Sequence, residues 1–247
     1  SKIKRVNEAG FDIDQEKLNK HLFDFQRYIV TKAVKMGKYA VFADCGLGKT
    51  LMQLEWARLV SEHTQKPVLI LCPLAVAGQT IEEGVKFGIS VEKLVLIQEL
   101  QNGIYITNYD QLENINASQF SGVVLDESSI LKNYEGSTKN MVVEYFHNTP
   151  YKLACTATPS PNDFMELGNH SEFLNIMPRN EMLAMYFVHD GGETTKWRLK
   201  GHCEDAFWKW VASWAVMLTK PSDIGFNADG YNLPALNYFE NQIVPPK

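Results

Sequence analysis

The chain has 247 residues, 45% of them hydrophobic and 21% charged, which suits one large soluble domain or one domain with an appendage. No apolar run reaches the length of a membrane-spanning helix, and the start, Ser-Lys-Ile-Lys-Arg, leads into no signal-peptide core, so the expected location is cytosolic. The net charge of −5 counts mildly against a broad basic face that neutralises many phosphates, and leaves room for a narrow track of backbone amides and hydroxyls.

In chain order, short apolar runs rich in β-branched residues predict strands at Tyr39–Ala43, Pro67–Cys72, Lys93–Ile97, Ile104–Thr107, Gly122–Asp126 and Tyr151–Thr156. Most are apolar throughout, as in strands covered on both faces of a parallel sheet. Helical patterns fall between them, including Thr50–His63 and Ser137–His147. The alternation predicts an α/β fold, mainly a parallel sheet with helices on both faces.

The pattern changes after Phe173. No strand stands out across 178–200, and Glu204–Lys220 reads as one helix with Phe207, Val211, Trp214 and Leu218 on a single face. That stripe predicts core packing, in a helical appendage over residues 178–232. Residues 1–20 read as an N-terminal extension, 21–177 as the core and 233–247 as a linker. The four cysteines, Cys45, Cys72, Cys155 and Cys203, stand singly, which predicts buried reduced thiols rather than disulfides or zinc.

The strongest chemical signal is Phe42-Ala43-Asp44-Cys45-Gly46-Leu47-Gly48-Lys49-Thr50. It departs from the strict phosphate-loop (Walker A) pattern only in having Ala43 where that pattern has glycine. A strand precedes it and a helix follows, so free amides at the helix start face an anion, and Gly46 and Gly48 let the loop curl around it. Lys49 would reach the β- and γ-phosphates of ATP and Thr50 would place its hydroxyl on Mg²⁺.

Downstream, the apolar strand Gly122–Leu125 runs into Asp126 and Glu127. An Asp-Glu pair alone is ordinarily a solvated turn. At a strand tip, after a phosphate loop, it predicts a carboxylate for Mg²⁺ in Asp126 and a base for the attacking water in Glu127.

These residues resemble motifs I and II of superfamily-two helicases. The surrounding segments are similar to the branch typified by Swi/Snf-type chromatin remodellers and their phage and prophage relatives. Phe25-Gln26 resembles the Q motif, Leu71-Cys72-Pro73-Leu74 with Gln79 motif Ia, and Ile106-Thr107-Asn108-Tyr109 motif Ib. The run Asp126 to Asn133 resembles the branch's extended motif II, with Ser129 where the family usually has His. Cys155-Thr156-Ala157-Thr158-Pro159, with Asn162 and Glu166-Leu167 beyond, resembles motif III. Leu218-Thr219-Lys220-Pro221 to Leu233-Pro234 resembles the approach to a second lobe, and the likeness spans about Phe11 to Pro234.

The resemblance implies a RecA-like first lobe that binds ATP–Mg²⁺, with Gln26 reading adenine and Asp44 to Thr50 holding the phosphates. Lys49, Asp126 and Glu127 would serve catalysis, Thr50 and Asp126 the metal, and Thr156 and Thr158 coupling. Pro73, Leu74, Gln79, Thr107, Asn108 and Tyr109 would touch nucleic acid (DNA, with RNA as the alternative), and Lys132 could add a charge. Phe11 is a candidate for stacking on adenine, with a core role favoured.

The family's arginine-bearing second lobe has no counterpart among Arg5, Arg27, Arg58, Arg179 and Arg198. The chain is therefore expected to be one lobe of a longer monomeric protein in the cytoplasm of a bacterium or phage-infected cell, binding ATP but hydrolysing it slowly alone. The competing reading, favoured by the acidic charge, is a P-loop switch ATPase that acts on protein partners without nucleic acid.

Overall fold

The structure, a computed structural model, describes residues 6–95, 99–132, 137–160, 163–189 and 197–231. A parallel sheet of seven strands carries the fold. In chain order these are β1 (Lys38–Ala43), β2 (Val68–Cys72), β3 (Val91–Lys93), β4 (Ile104–Asn108), β5 (Gly122–Asp126) and β6 (Tyr151–Thr156). The short hairpin strands β7 (Phe187–His189) and β8 (Trp197–Leu199) stand apart, and β9 (Ala215–Leu218) returns to the main sheet. Across the sheet the order is β3-β4-β2-β5-β6-β1-β9.

Alternation of side chains along each strand divides the core in two. Tyr39, Val41 and Ala43 of β1 face the layer of α1 (Asp24–Met36), α2 (Lys49–Thr64) and α3 (Ala77–Lys86). Ala40 and Phe42 face the layer of α4 (Ser137–Tyr145), α5 (Leu167–Phe173), α6 (Arg179–Tyr186) and α7 (Glu204–Ala212). Both faces being covered is why the strands read as unbroken apolar runs. No helix among the described residues is long and apolar enough to cross a membrane.

Three expectations change. The helix expected over Glu204–Lys220 stops at Ala212, and Ala215–Leu218 is a strand, parallel to β1 with Ala40 opposite Ala215. The apolar stripe fits both periods over so short a run, and the open ladder along β1 decides between them. Trp214 and Phe207 are fully buried, as the core reading required. The third strand lies at Val91–Lys93, earlier than Lys93–Ile97, of which Ile97 is outside the described residues. The hairpin of β7 and β8 falls in 178–200, where no strand was expected.

The segment ahead of α1 is clipped to α2. The fully buried Glu55 accepts the Asn19 amide at 2.8 Å and pairs with Arg58 at 2.8 Å, while Arg58 donates to the Lys17 carbonyl at 2.9 Å. This clip sets where α1 begins, and with it Phe23 and Gln26.

Lys152 on β6 is also fully buried. It donates to the Phe173 carbonyl at 2.8 Å and to Asn175 Oδ1 at 3.2 Å. Burial, with its register neighbour Lys38 adding repulsion, lowers its pKa to about 7. The unfolded chain binds this proton up to an ordinary lysine pKa, so between about 7 and that value unfolding takes up a proton and stability rises with pH. Measured against Lys152→Met by chemical denaturation, the parent should gain about 2–3 kcal/mol from pH 7 to 9.5, because the raised Cys72 and Cys155 thiols, which act in the opposite sense there, are common to both.

Candidate active site

The phosphate loop leaves the carboxyl end of β1 and enters α2. Gly48 caps α2 in the left-handed region, φ 72°, and makes no side-chain cap, so the first-turn amides keep no partner from the cap. Gly46 is also left-handed, φ 81°. Asp44, Cys45, Gly46 and Gly48 are exposed, and Leu47 is buried as the loop's anchor. Cys45 therefore departs from the expectation of buried thiols, which holds for Cys72 and Cys155. Lys49 Nζ donates to the carbonyls of Ala43 at 2.8 Å and Asp44 at 3.1 Å. Its ammonium thus lies across the loop, where phosphate oxygens could replace those carbonyls.

Gln26 braces this loop from α1. It is buried, its Nε2 donates to the Leu47 carbonyl at 2.9 Å, and its Oε1 accepts the Phe23 amide at 2.9 Å. Both ends of the amide are therefore engaged inside the protein. Phe11, the aromatic considered for adenine, stacks instead on His63 with centroids 3.7 Å apart. His63 sits near the far end of α2, about 20 Å of helix from Lys49. Phe11 is thus half-buried against the core layer of α1 and α2, away from the loop. Phe23, 61% exposed beside the Gln26 brace, with Tyr231 edge-on to it, is the aromatic that faces outward here.

The acidic pair stands at the carboxyl end of β5, two strands from the loop. Asp126 Oδ1 accepts Gln53 Nε2 at 2.8 Å, and the Asp126 carbonyl accepts the Tyr109 hydroxyl at 2.8 Å. Burial raises the Asp126 pKa, against the opposing effects of Gln53 and Lys49. Glu127 adopts φ 56°, a left-handed conformation that is costly for a residue with a Cβ. Its Oε1 accepts the Thr156 hydroxyl at 2.7 Å, and Thr156 Oγ1 accepts the Thr158 amide at 3.0 Å. The register sets Asp126 opposite Cys155 and Phe42 opposite Thr156, so loop, acids and threonines share one edge.

The turn after the acids, Ser128–Lys132, is held by α5. Ser128 Oγ bonds His170 Nε2 at 3.1 Å, Asn169 Nδ2 donates to the Leu131 carbonyl at 2.6 Å, and the His170 ring meets Phe42 edge-on at 5.0 Å. An imidazole thus reaches this turn from α5, although Ser129 replaces the one the family carries in the motif. Gln53, Asn169 and His170 were missed in the sequence. Gln53 lies four residues after Lys49, on the same helical face, which was a usable signal. His170 offered none.

The six nucleic-acid candidates divide. Leu74, 71% exposed, and Gln79 present an exposed edge after β2, with Pro73 half-buried behind them. Thr107 and Tyr109 are buried, and Asn108 Oδ1 accepts the Asp110 amide at 2.9 Å. Thr107 is covered on β4, and Tyr109, which opens the turn after it, points inward to the Asp126 carbonyl, so neither side chain is contact surface. Asn133, Asn162, Leu233 and Pro234 lie outside the described residues, as does the Lys132 side chain.

A Cβ on Gly48 would stand 2.4 Å from Gln26 Nε2, in a backbone region that already disfavours side chains. Gly48→Ala should therefore displace the brace and destabilise the chain by about 1–3 kcal/mol, read from urea unfolding. Gln26→Ala should account for part of that loss, and the double variant should cost less than the sum of the two.

Comparison with known proteins supports this architecture. The Sulfolobus solfataricus SWI2/SNF2 ATPase core in complex with dsDNA superposes with TM-score 0.71 at 20% identity, covering 87% of this chain and 48% of that one. The same core domain alone gives TM-score 0.64 at 19% identity, again over 87% and 48%. The UvsW helicase from bacteriophage T4 gives 0.51 at 15%, over 69% and 63%. This chain thus spans about half the length of the SWI2/SNF2 core it matches. No curated protein matches it by sequence. The family model for the SNF2-related domain matches residues 39–187, more than half of the chain, from β1 to the first residue of β7. The chain belongs to the SNF2-related domain family and has the RecA-like fold of its ATPase cores.

Proposed function

We propose that this chain is the ATP-binding lobe of a nucleic-acid-dependent ATPase that moves on DNA and is completed by a second RecA-like lobe in cis. The observation that carries the reading is the meeting of Lys49, Asp126, Glu127 and Thr156 at the carboxyl ends of three neighbouring strands. Such an edge, with a helix N-terminus aimed into it, suits a nucleoside triphosphate.

In this reading the loop amides and Lys49 bind the phosphates, the lysine exchanging the Ala43 and Asp44 carbonyls for phosphate oxygens. Gln26 acts first as the brace that shapes the loop, and adenine lies against Phe23. The Asp126 carboxylate and the Thr50 hydroxyl would hold Mg²⁺, and the buried Gln53 Oε1, with no hydrogen-bond partner among the described residues, could accept from a water of that ion. When bound, that ion would offset the developing charge on the phosphates. Glu127 orients the attacking water with the oxygen that Thr156 leaves free.

Thr156 and Thr158 join the base to the loop after β6, so cleft closure would pass through one hydroxyl. Leu74, Gln79 and Pro73 would contact the DNA backbone, as a motor that must not read sequence requires. A phage or prophage origin, a cytoplasmic setting and a monomeric state complete the proposal. The lobe alone is expected to hydrolyse ATP slowly, because an arginine supplied by a second lobe can contribute about 10³–10⁵ in rate.

Two measurements test the reading. Lys49→Ala should weaken ATP binding at least tenfold in calorimetry while leaving the unfolding midpoint within a few degrees of the parent. Unchanged affinity would remove the phosphate-site assignment. Duplex DNA should bind the full-length protein with an affinity that falls steeply as salt rises. Salt-independent or absent binding would favour an ATPase that acts on protein partners.

A further inference from the structure

We propose that Gln53 is a positioning residue for the metal side of the site, holding the Asp126 carboxylate in the orientation that Mg²⁺–ATP requires. The inference rests on the nucleotide reading above and deepens it. Gln53 is fully buried on α2 among Leu51, Met52, Leu54, Trp56 and Ala57, where an apolar side chain would be the ordinary choice. Its Nε2 instead donates to Asp126 Oδ1 at 2.8 Å across 73 residues of sequence. Its Oε1 is buried with no hydrogen-bond partner among the described residues. Buried amides almost always satisfy both ends, so an orphan oxygen beside a buried carboxylate points to a donor that arrives with a ligand. A water in the outer shell of a cation is such a donor.

The choice of an amide also has a reason. Lysine or arginine could orient Asp126 equally well, but its positive charge would compete with the cation for the carboxylate. A neutral donor fixes the rotamer and leaves the negative charge available. It donates to Oδ1, the Glu127 backbone amide also engages the carboxylate, and Tyr109 holds the backbone carbonyl of the same residue at 2.8 Å. Placement four residues after Lys49 puts the phosphate lysine and this amide on one face of α2. A shift of α2 on nucleotide binding would therefore move both together.

The test uses the full chain and a fluorescent ATP analogue, titrated in EDTA and across a series of Mg²⁺ concentrations. Gln53→Met keeps the volume and removes the donor. It should raise the Mg²⁺ concentration for half-maximal binding roughly ten- to hundredfold, while affinity in EDTA stays within about twofold. In an Asp126→Asn background the same substitution should add no further change, because its effect passes through that carboxylate. If Gln53→Met does not fold, as judged by its thermal midpoint, Gln53→Leu takes its place.

Three outcomes would overturn the inference: an unchanged Mg²⁺ requirement in a folded variant, an equal loss of affinity with and without Mg²⁺, or an undiminished effect beside Asp126→Asn. Parent protein that does not bind the analogue at any Mg²⁺ concentration would remove the nucleotide reading, whereas parent that binds it with no Mg²⁺ dependence would overturn this inference alone, so the two failures can be told apart.

Discussion

The site depends on the parallel register of β5, β6 and β1. Parallel strands end together, and here their carboxyl ends deliver Asp126, Thr156 and the Asp44–Gly48 loop to one edge. None of these residues is near another in sequence, and no turn between them could bring them into contact. The sheet aligns them because its ladders are continuous and both faces are buried under helices, which leaves no freedom to slip by one residue without turning core side chains outward. A slip of β6 against β5 would also carry the Thr156 hydroxyl away from Glu127.

On that frame the acidic turn is held from several directions. Gln53 of α2 fixes the Asp126 side chain, Tyr109 its carbonyl, Thr156 the Glu127 carboxylate, and His170 with Asn169 the turn that follows. The left-handed Glu127 is the strained point in this arrangement, and such strain persists where the surroundings over-determine it. Both helical layers contribute, α2 from one face of the sheet and α5 from the other.

Buried charge is the cost of this design. Lys152 lies on β6 with carbonyl partners and, among the described residues, no carboxylate, and Glu55 lies on the buried face of α2 with Arg58 and the Asn19 amide. Each joins segments that apolar packing alone would leave loosely oriented. Glu55 sets the entry to α1 and hence the Gln26 brace, and Lys152 ties the base of β6 to the end of α5. Directional bonds supply the orientation that dispersion and hydrophobic burial do not.

By itself, the sequence determined what depends on local pattern: the phosphate loop with its flanking strand and helix, the acidic strand tip, the buried parallel strands and their alternation with helices. These were legible because strand and helix periods and glycine placement act over a few neighbouring residues. The ends of short apolar runs were less legible, and the stretch containing Trp214 and Leu218 could satisfy a helix or a strand until the free ladder of β1 chose the strand. What only the tertiary structure decided is which groups face one another. It turned Tyr109 inward, moved Phe11 to His63, gave both ends of Gln26 to the protein, and set Gln53 and His170 against the acidic turn. Apart from the local Phe23–Gln26 bond, those contacts join residues well separated in sequence, and no pattern confined to neighbouring residues encodes such a meeting.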